Sequence, residues 1–182
     1  MCGLKSIGEQ KKRILGFLWE AESPISLREA SQRIGLKARS ANMHLQGLRK
    51  LGHVSMSAEG YMITDSGREA IGFPKVDESF AKKVLGKTPA ERSFHFYRGI
   101  DRPTSILSDS LVDLCEKIKT LDIEPIEFHM SRGDLENWIS SLGDIELARR
   151  LRMLRERHLT GQALRERIYK TVRSRCDELL KK

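Results

Sequence analysis

Residues 128–144, FHMSRGDLENWISSLGD, set His129 beside Arg132, Asp134, Trp138 and Asp144. A histidine with a neighbouring carboxylate is the pairing of general acid–base catalysis, and two histidines with a carboxylate can hold a metal. His129 has a counterpart in His95, since Phe94-His95-Phe96-Tyr97 and Phe128-His129-Met130 both surround a histidine with large apolar side chains. Neither histidine has the His-x3-His or His-x2-Cys spacing that gives a strong metal signature. No glycine-rich phosphate loop, Ser-His-Asp order or HExxH helix occurs. Cys2, Cys115 and Cys176 lie far apart with no CxxC pair, which supports neither a disulfide framework nor a cysteine zinc site. The expectation is therefore a protein that is not an enzyme, with no catalytic residue, metal or cofactor. Its two histidines read as core residues hydrogen-bonded to a cap or a carbonyl. The alternative from the enzyme class is a metal-dependent activity using His95 and His129.

The elements that must position this stretch account for its aspartates. Ser131-Arg132-Gly133-Asp134 fits a capping box, in which Asp134 starts the helix LENWISSL and Leu135, Trp138, Ile139 and Leu142 form its apolar face. Gly143 ends that helix, and Asp144 caps the next, IELARRLRMLRERH, with Glu146 near its positive end. Upstream, Thr88-Pro89-Ala90-Glu91 predicts a helix start for ERSFHFYR, ending at Gly99. LVDLCEKIKTL carries Leu111, Leu114, Cys115, Ile118 and Leu121 at helical spacing, which makes Cys115 a small core residue. The final helix aligns Leu164, Ile168, Val172 and Cys176. Residues 88–182 thus read as an all-α unit for dimerisation or sensing, and residues 76–87 as a linker or connecting helix.

Residues 1–75 have a different pattern. Ile14, Leu15, Leu18 and Trp19 give one buried face; Ser26-Leu27-Arg28-Glu29 is a capping box; Gly35 ends the short helix it starts. A third helix over about residues 38–51 buries Ala41, Leu45 and Leu48 and turns Lys37, Arg39, Ser40, Asn42, Met43 and Gln46 outward. HVSM and YMIT flank SAEG and pair as a hairpin, after which Thr64 caps a last helix. Three helices with an appended hairpin describe a winged helix-turn-helix. Its third helix fits the major groove, where Arg39 can read guanine, Asn42 or Gln46 adenine, and Met43 a thymine methyl. The hairpin turn carries Glu59 and no cation, which argues against minor-groove contact there.

Charge agrees in part. The 182 residues carry +8 at a pI near 9.6, with 39% hydrophobic and 32% charged residues and no apolar run long enough for a membrane span. The opening MCGLKSIGEQKKR lacks the apolar stretch of a signal peptide, so the expected compartment is the cytoplasm. A polyanionic partner suits the net charge. Residues 103–146 are acidic at −7 and residues 147–182 basic at +8, the signature of segments that pair with each other or with a second copy.

Two resemblances follow from these motifs. SLREASQRIGLKARSANMHLQGLRKLGHV, then the hairpin, then YMITDSGREAI, resembles the winged-helix transcription regulators of the MarR, ArsR and related archaeal type over roughly the first 70 residues. The Leu-x-x-Leu-Gly-His-Val exit of the third helix and the Thr-Asp-Ser-Gly-Arg-Glu-Ala exit of the hairpin carry it. The resemblance implies double-stranded DNA as partner and Lys37, Arg39, Ser40, Asn42, Met43 and Gln46 as the groove-facing set, with His44 and Lys50 nearer the phosphates. The second half resembles a helical domain of unknown function found mainly in archaeal proteins, through FHFY, FH-x-x-RGD-[FL]-E-x-W-I, LGD-x-x-LA and LTG-x-x-LR. It implies a fold and no activity. The function expected is sequence-specific transcription regulation by a homodimer; a protein–protein adaptor using the winged helix for docking is the alternative.

Overall fold

The computed structural model describes residues 7–21 and 23–182, so Cys2 lies outside the described residues. The chain is mostly helical and divides into two compact units, one up to Lys75 and one from Val76. No helix among the described residues is long and apolar enough to cross a membrane.

In the first unit, α1 (Glu9–Ala21), α2 (Leu27–Ile34) and α3 (Ala38–Lys50) precede a hairpin, β1 (Val54–Ser57) and β2 (Gly60–Ile63), and α4 (Asp65–Ala70). Capping fixes where α2 and α4 begin. Ser26 Oγ accepts from the Glu29 N–H at 3.2 Å, and Thr64 Oγ1 accepts from the Gly67 N–H at 3.1 Å while donating to the Gly52 carbonyl at 2.6 Å. The bonds from Glu29 and Gly67 each satisfy a first-turn N–H that the helix leaves unpaired. Ile14, Leu15 and Leu18 of α1 meet Ala30 and Ile34 of α2, Leu45 and Leu48 of α3, and Val54 and Tyr61 of the hairpin in one core. Ile25, in the α1–α2 connection, adds a third extended segment: it exchanges backbone hydrogen bonds with Tyr61 at 3.1 and 2.9 Å. Those two bonds pin the hairpin to the helices.

The second unit contains α5 (Glu78–Leu85), a 3-10 turn at Ala90–Arg92, β3 (Phe94–Gly99), β4 (Arg102–Ser108), α6 (Leu111–Thr120), α7 (Ile123–Arg132), α8 (Asp134–Leu142), α9 (Ile145–Arg155) and α10 (Gly161–Leu179). It is not all-α. The expected helix through FHFY is the strand β3, paired antiparallel with β4 from Phe94 opposite Ser108 to Gly99 opposite Arg102. Strand geometry sends Phe94 and Phe96 into the core and leaves His95 exposed, a period of two that a helix cannot satisfy. The segment between the units is not a bare linker: α5, capped by Asp77, sends Ala81 and Val84 into the second core. Cys115 and Cys176 are buried free thiols in that core, and burial pushes them up to about 11 and about 12.

The acidic and basic segments pair with each other. Glu136, buried on α8, takes Arg155 at 2.6 Å, and buried Arg175 on α10 meets Asp144 at 2.7 and 3.1 Å, Glu178 at 2.8 Å and Glu146 at 3.3 Å. Glu127 accepts the Gly161 N–H at 2.7 Å, and Arg165 donates to the Ile118 carbonyl at 2.6 Å. These contacts account for the LGD and LTG motifs as packing of α10 against its neighbours.

Candidate functional site

The outward face of α3 is the first candidate. Arg39, Asn42, Met43, Gln46 and Lys50 fall at i, i+3, i+4, i+7 and i+11, one stripe opposite buried Ala41, Leu45 and Leu48. Met43 is 64% exposed, and no carboxylate lies on the helix. Lys37 sits exposed at the N-cap position, while Ser40 and His44 lie half-buried toward the flank of the stripe. Two members are oriented from the hairpin. The Tyr61 hydroxyl accepts from Gln46 Nε2 at 3.2 Å and donates to Asn42 Oδ1 at 3.5 Å. Tyr61 and Arg49, whose guanidinium lies 4.0 Å from Met56 Sδ, are neighbours that the helical spacing of α3 did not single out. Both contacts join residues far apart in sequence.

The second candidate is a pocket of about 440 Å³ in the second unit, lined from the hairpin by Phe94, His95, Tyr97 and the turn Gly99 to Asp101, and from the helices by Phe128, His129, Arg132, Asp134 and Trp138. At the α7–α8 joint beside it, the expected capping box of Ser131 to Asp134 does not form. Ser131 caps nothing, since its hydroxyl donates back to the Phe128 carbonyl at 2.9 Å. Gly133, at φ 76°, ends α7 and starts α8 in one residue, so no capping box fits between them. Asp134 instead accepts from Arg132 Nε at 3.1 Å and pairs with His129 Nδ1 at 2.8 Å.

His129 is locked at both ring nitrogens. The Tyr97 backbone N–H donates to Nε2 at 2.8 Å, which puts the ring proton on Nδ1, facing Asp134. His95 stays exposed and meets the Ala90 carbonyl through Nε2 at 3.0 Å. His129 has no open nitrogen to share with His95, and among the described residues no group of three His, Cys, Asp or Glu is placed to hold a metal. Compared with known proteins, the chain matches no family model, no curated protein and no solved structure.

The lock has a pH signature. Burial pushes the His129 imidazole below its ordinary value, against the upward pull of Asp134. A second proton would also place an N–H against the Tyr97 N–H. The unfolded chain therefore binds a proton that the folded one refuses, so stability is complete above the ordinary histidine pKa of about 6.5 and falls as the pH drops through that value toward the lower folded one. Unfolding of the second unit measured from pH 7.5 to 5 should show this loss, and His129→Gln should flatten it. An unchanged slope in the variant would assign the acid sensitivity to other groups.

Proposed function

We propose that the chain is a sequence-specific regulator of transcription that binds double-stranded DNA through a winged helix-turn-helix, with α3 in the major groove. The observation that carries this is the stripe of Arg39, Asn42, Met43, Gln46 and Lys50: exposed or half-exposed, cationic, free of carboxylates, and mounted on a helix whose other face is fixed in the core. Arg39 supplies a bidentate donor for guanine, Asn42 or Gln46 an amide for adenine, and Lys50 a phosphate contact. The winged-helix resemblance to the MarR and ArsR type supports the same assignment. One such helix reads few base pairs, so the working form is a homodimer in the cytoplasm, with the archaeal-type second unit serving dimerisation or sensing.

A second reading has its own observation. Met43, Met56 and Met62 are 64%, 52% and 40% exposed on α3 and the hairpin, and flexible thioethers suit a protein-docking face. Selection of fragments from sheared genomic DNA by the full-length protein at about 150 mM salt separates the two. Recovery of a common inverted repeat supports the regulator, and recovery of nothing supports the adaptor. On a recovered site, Arg39→Ala should cost about 1–3 kcal/mol at one base pair, whereas Lys50→Ala should weaken every duplex alike. Equal losses on all sequences for both variants would reduce α3 to a nonspecific phosphate binder.

A further inference from the structure

We propose that the pocket between the β3–β4 hairpin, α7 and α8 binds a small aromatic carboxylate, a flat ring bearing one anionic group. This goes beyond the DNA-binding reading and does not rest on it. At about 440 Å³ the pocket has the size of a small-molecule site.

Its walls are aromatic. Phe94 lies 4.8 Å from the His129 ring and 5.6 Å from Trp138, and Phe128 and Tyr97 approach the same histidine at 5.1 and 6.1 Å. The polar atoms of Trp138 and His129 are already used. The Trp138 indole N–H donates to the Arg92 carbonyl at 2.8 Å, and both nitrogens of His129 are engaged. The walls therefore offer mostly ring surface, with the Tyr97 hydroxyl and His95 Nδ1 at their edge left for a polar group, which selects a flat and largely apolar body.

Charge enters from Arg132. Its Nε is held by Asp134 and its guanidinium stacks 5.2 Å from the Phe128 ring centre, yet its two terminal nitrogens have no partner among the described residues. A guanidinium fixed through Nε presents those terminal N–H groups as a fork that matches a carboxylate. Asp134 is already spent on His129 and Arg132. The remaining charged lining residue, Asp101, sits in the left-handed region at φ 57° in the hairpin turn and has no partner among the described residues. It suits a donor on the ring, such as an indole N–H or a phenol. A cationic ring would meet Arg132 repulsively and find Asp101 alone.

The test uses the full chain and heteronuclear NMR. The two tryptophans give two indole N–H signals, assigned with Trp19→Phe. Indole-3-acetate should shift the Trp138 signal and leave that of Trp19 in place, with Kd of about 1 mM or below. Arg132→Gln, at a side chain 51% exposed, should weaken binding about fivefold. Phe128→Leu, which removes one ring and leaves the guanidinium, should weaken it as well. Tryptamine, with the same ring and an ammonium, should bind more weakly and be indifferent to Arg132→Gln. The proposal is overturned if tryptamine binds as well as the acid, if Arg132→Gln leaves the acid's affinity unchanged, or if about 10 mM of the acid moves neither signal or both alike.

Discussion

Arg175→Ala is expected to cost the second unit about 3–5 kcal/mol. The guanidinium is 3% exposed at the residue level, and the carboxylates around it are buried too, Asp144 completely and Glu146 at 1%. Burial works against the charged form of Arg175, and Asp144, Glu146 and Glu178 together overcome it, holding its pKa above the ordinary value. Alanine would leave Asp144 buried without its fork, and Asp144 cannot retreat to water because its other oxygen contacts hold the start of α9 through the Leu147 N–H at 3.0 Å. The cost is therefore that of stranding a charge, not the worth of one ion pair. Combining Arg175→Met with Asp144→Asn separates the two, since asparagine still caps α9 and carries no charge. The double variant should be more stable than Arg175→Ala, with clear non-additivity in denaturant unfolding. A loss under about 1 kcal/mol for Arg175→Ala would mean that water reaches the cluster on little rearrangement.

The same cluster marks what the sequence makes legible. Asp144 as a cap follows from local rules, because a helix start needs an acceptor near its first N–H groups wherever it lies. Ser26 and Thr64 follow in the same way, as do the buried stripes of α1, α3 and α10. The partner of Asp144 does not follow, because Arg175 lies on another helix and any of a dozen basic residues in the tail could have supplied it. The FHFY segment failed for a different reason. Thr-Pro-Ala-Glu is a strong helix-start pattern, but it spends itself on the short turn Ala90–Arg92, where the Thr88 hydroxyl turns away to the Asp109 carbonyl at 2.9 Å. The alternation Phe94, Phe96 inward against His95 outward was the competing signal, and β-favouring aromatics should have outweighed the cap. At Ser131 the glycine decides: a left-handed Gly133 ends a helix more firmly than a serine three residues before an aspartate begins one. The FHFY strand lines the pocket and the Ser131–Gly133 joint lies between its lining residues Arg132 and Asp134, which is why the sequence shows the pocket's ingredients and not its shape.

Gly60→Ala should have the second large effect, a loss of about 2–4 kcal/mol confined to the first unit. Gly60 opens β2 at φ 137°, a conformation that L side chains rarely adopt, and a Cβ there would stand 2.4 Å from the Ile25 carbonyl oxygen. That oxygen accepts the Tyr61 N–H at 2.9 Å, so the added methyl must push apart the bridge that ties the hairpin to the helical core. The consequence extends to α3, because Tyr61 places Asn42 and Gln46 through its hydroxyl. Tyr61→Phe isolates that second effect: the ring stays in the core, the bridge is untouched, and only the hydroxyl goes, at about 1 kcal/mol of stability or less. In thermal or denaturant unfolding, Gly60→Ala should lower the midpoint of the first unit sharply and Tyr61→Phe only slightly. On a selected DNA site both should blunt discrimination at the adenine positions, since amides freed from Tyr61 pay an ordering cost on binding that the fixed ones do not. A Gly60→Ala protein with an unmoved midpoint would mean that the hairpin is held by the packing of Val54 and Tyr61 alone, and that the Ile25 bridge follows from the fold without enforcing it.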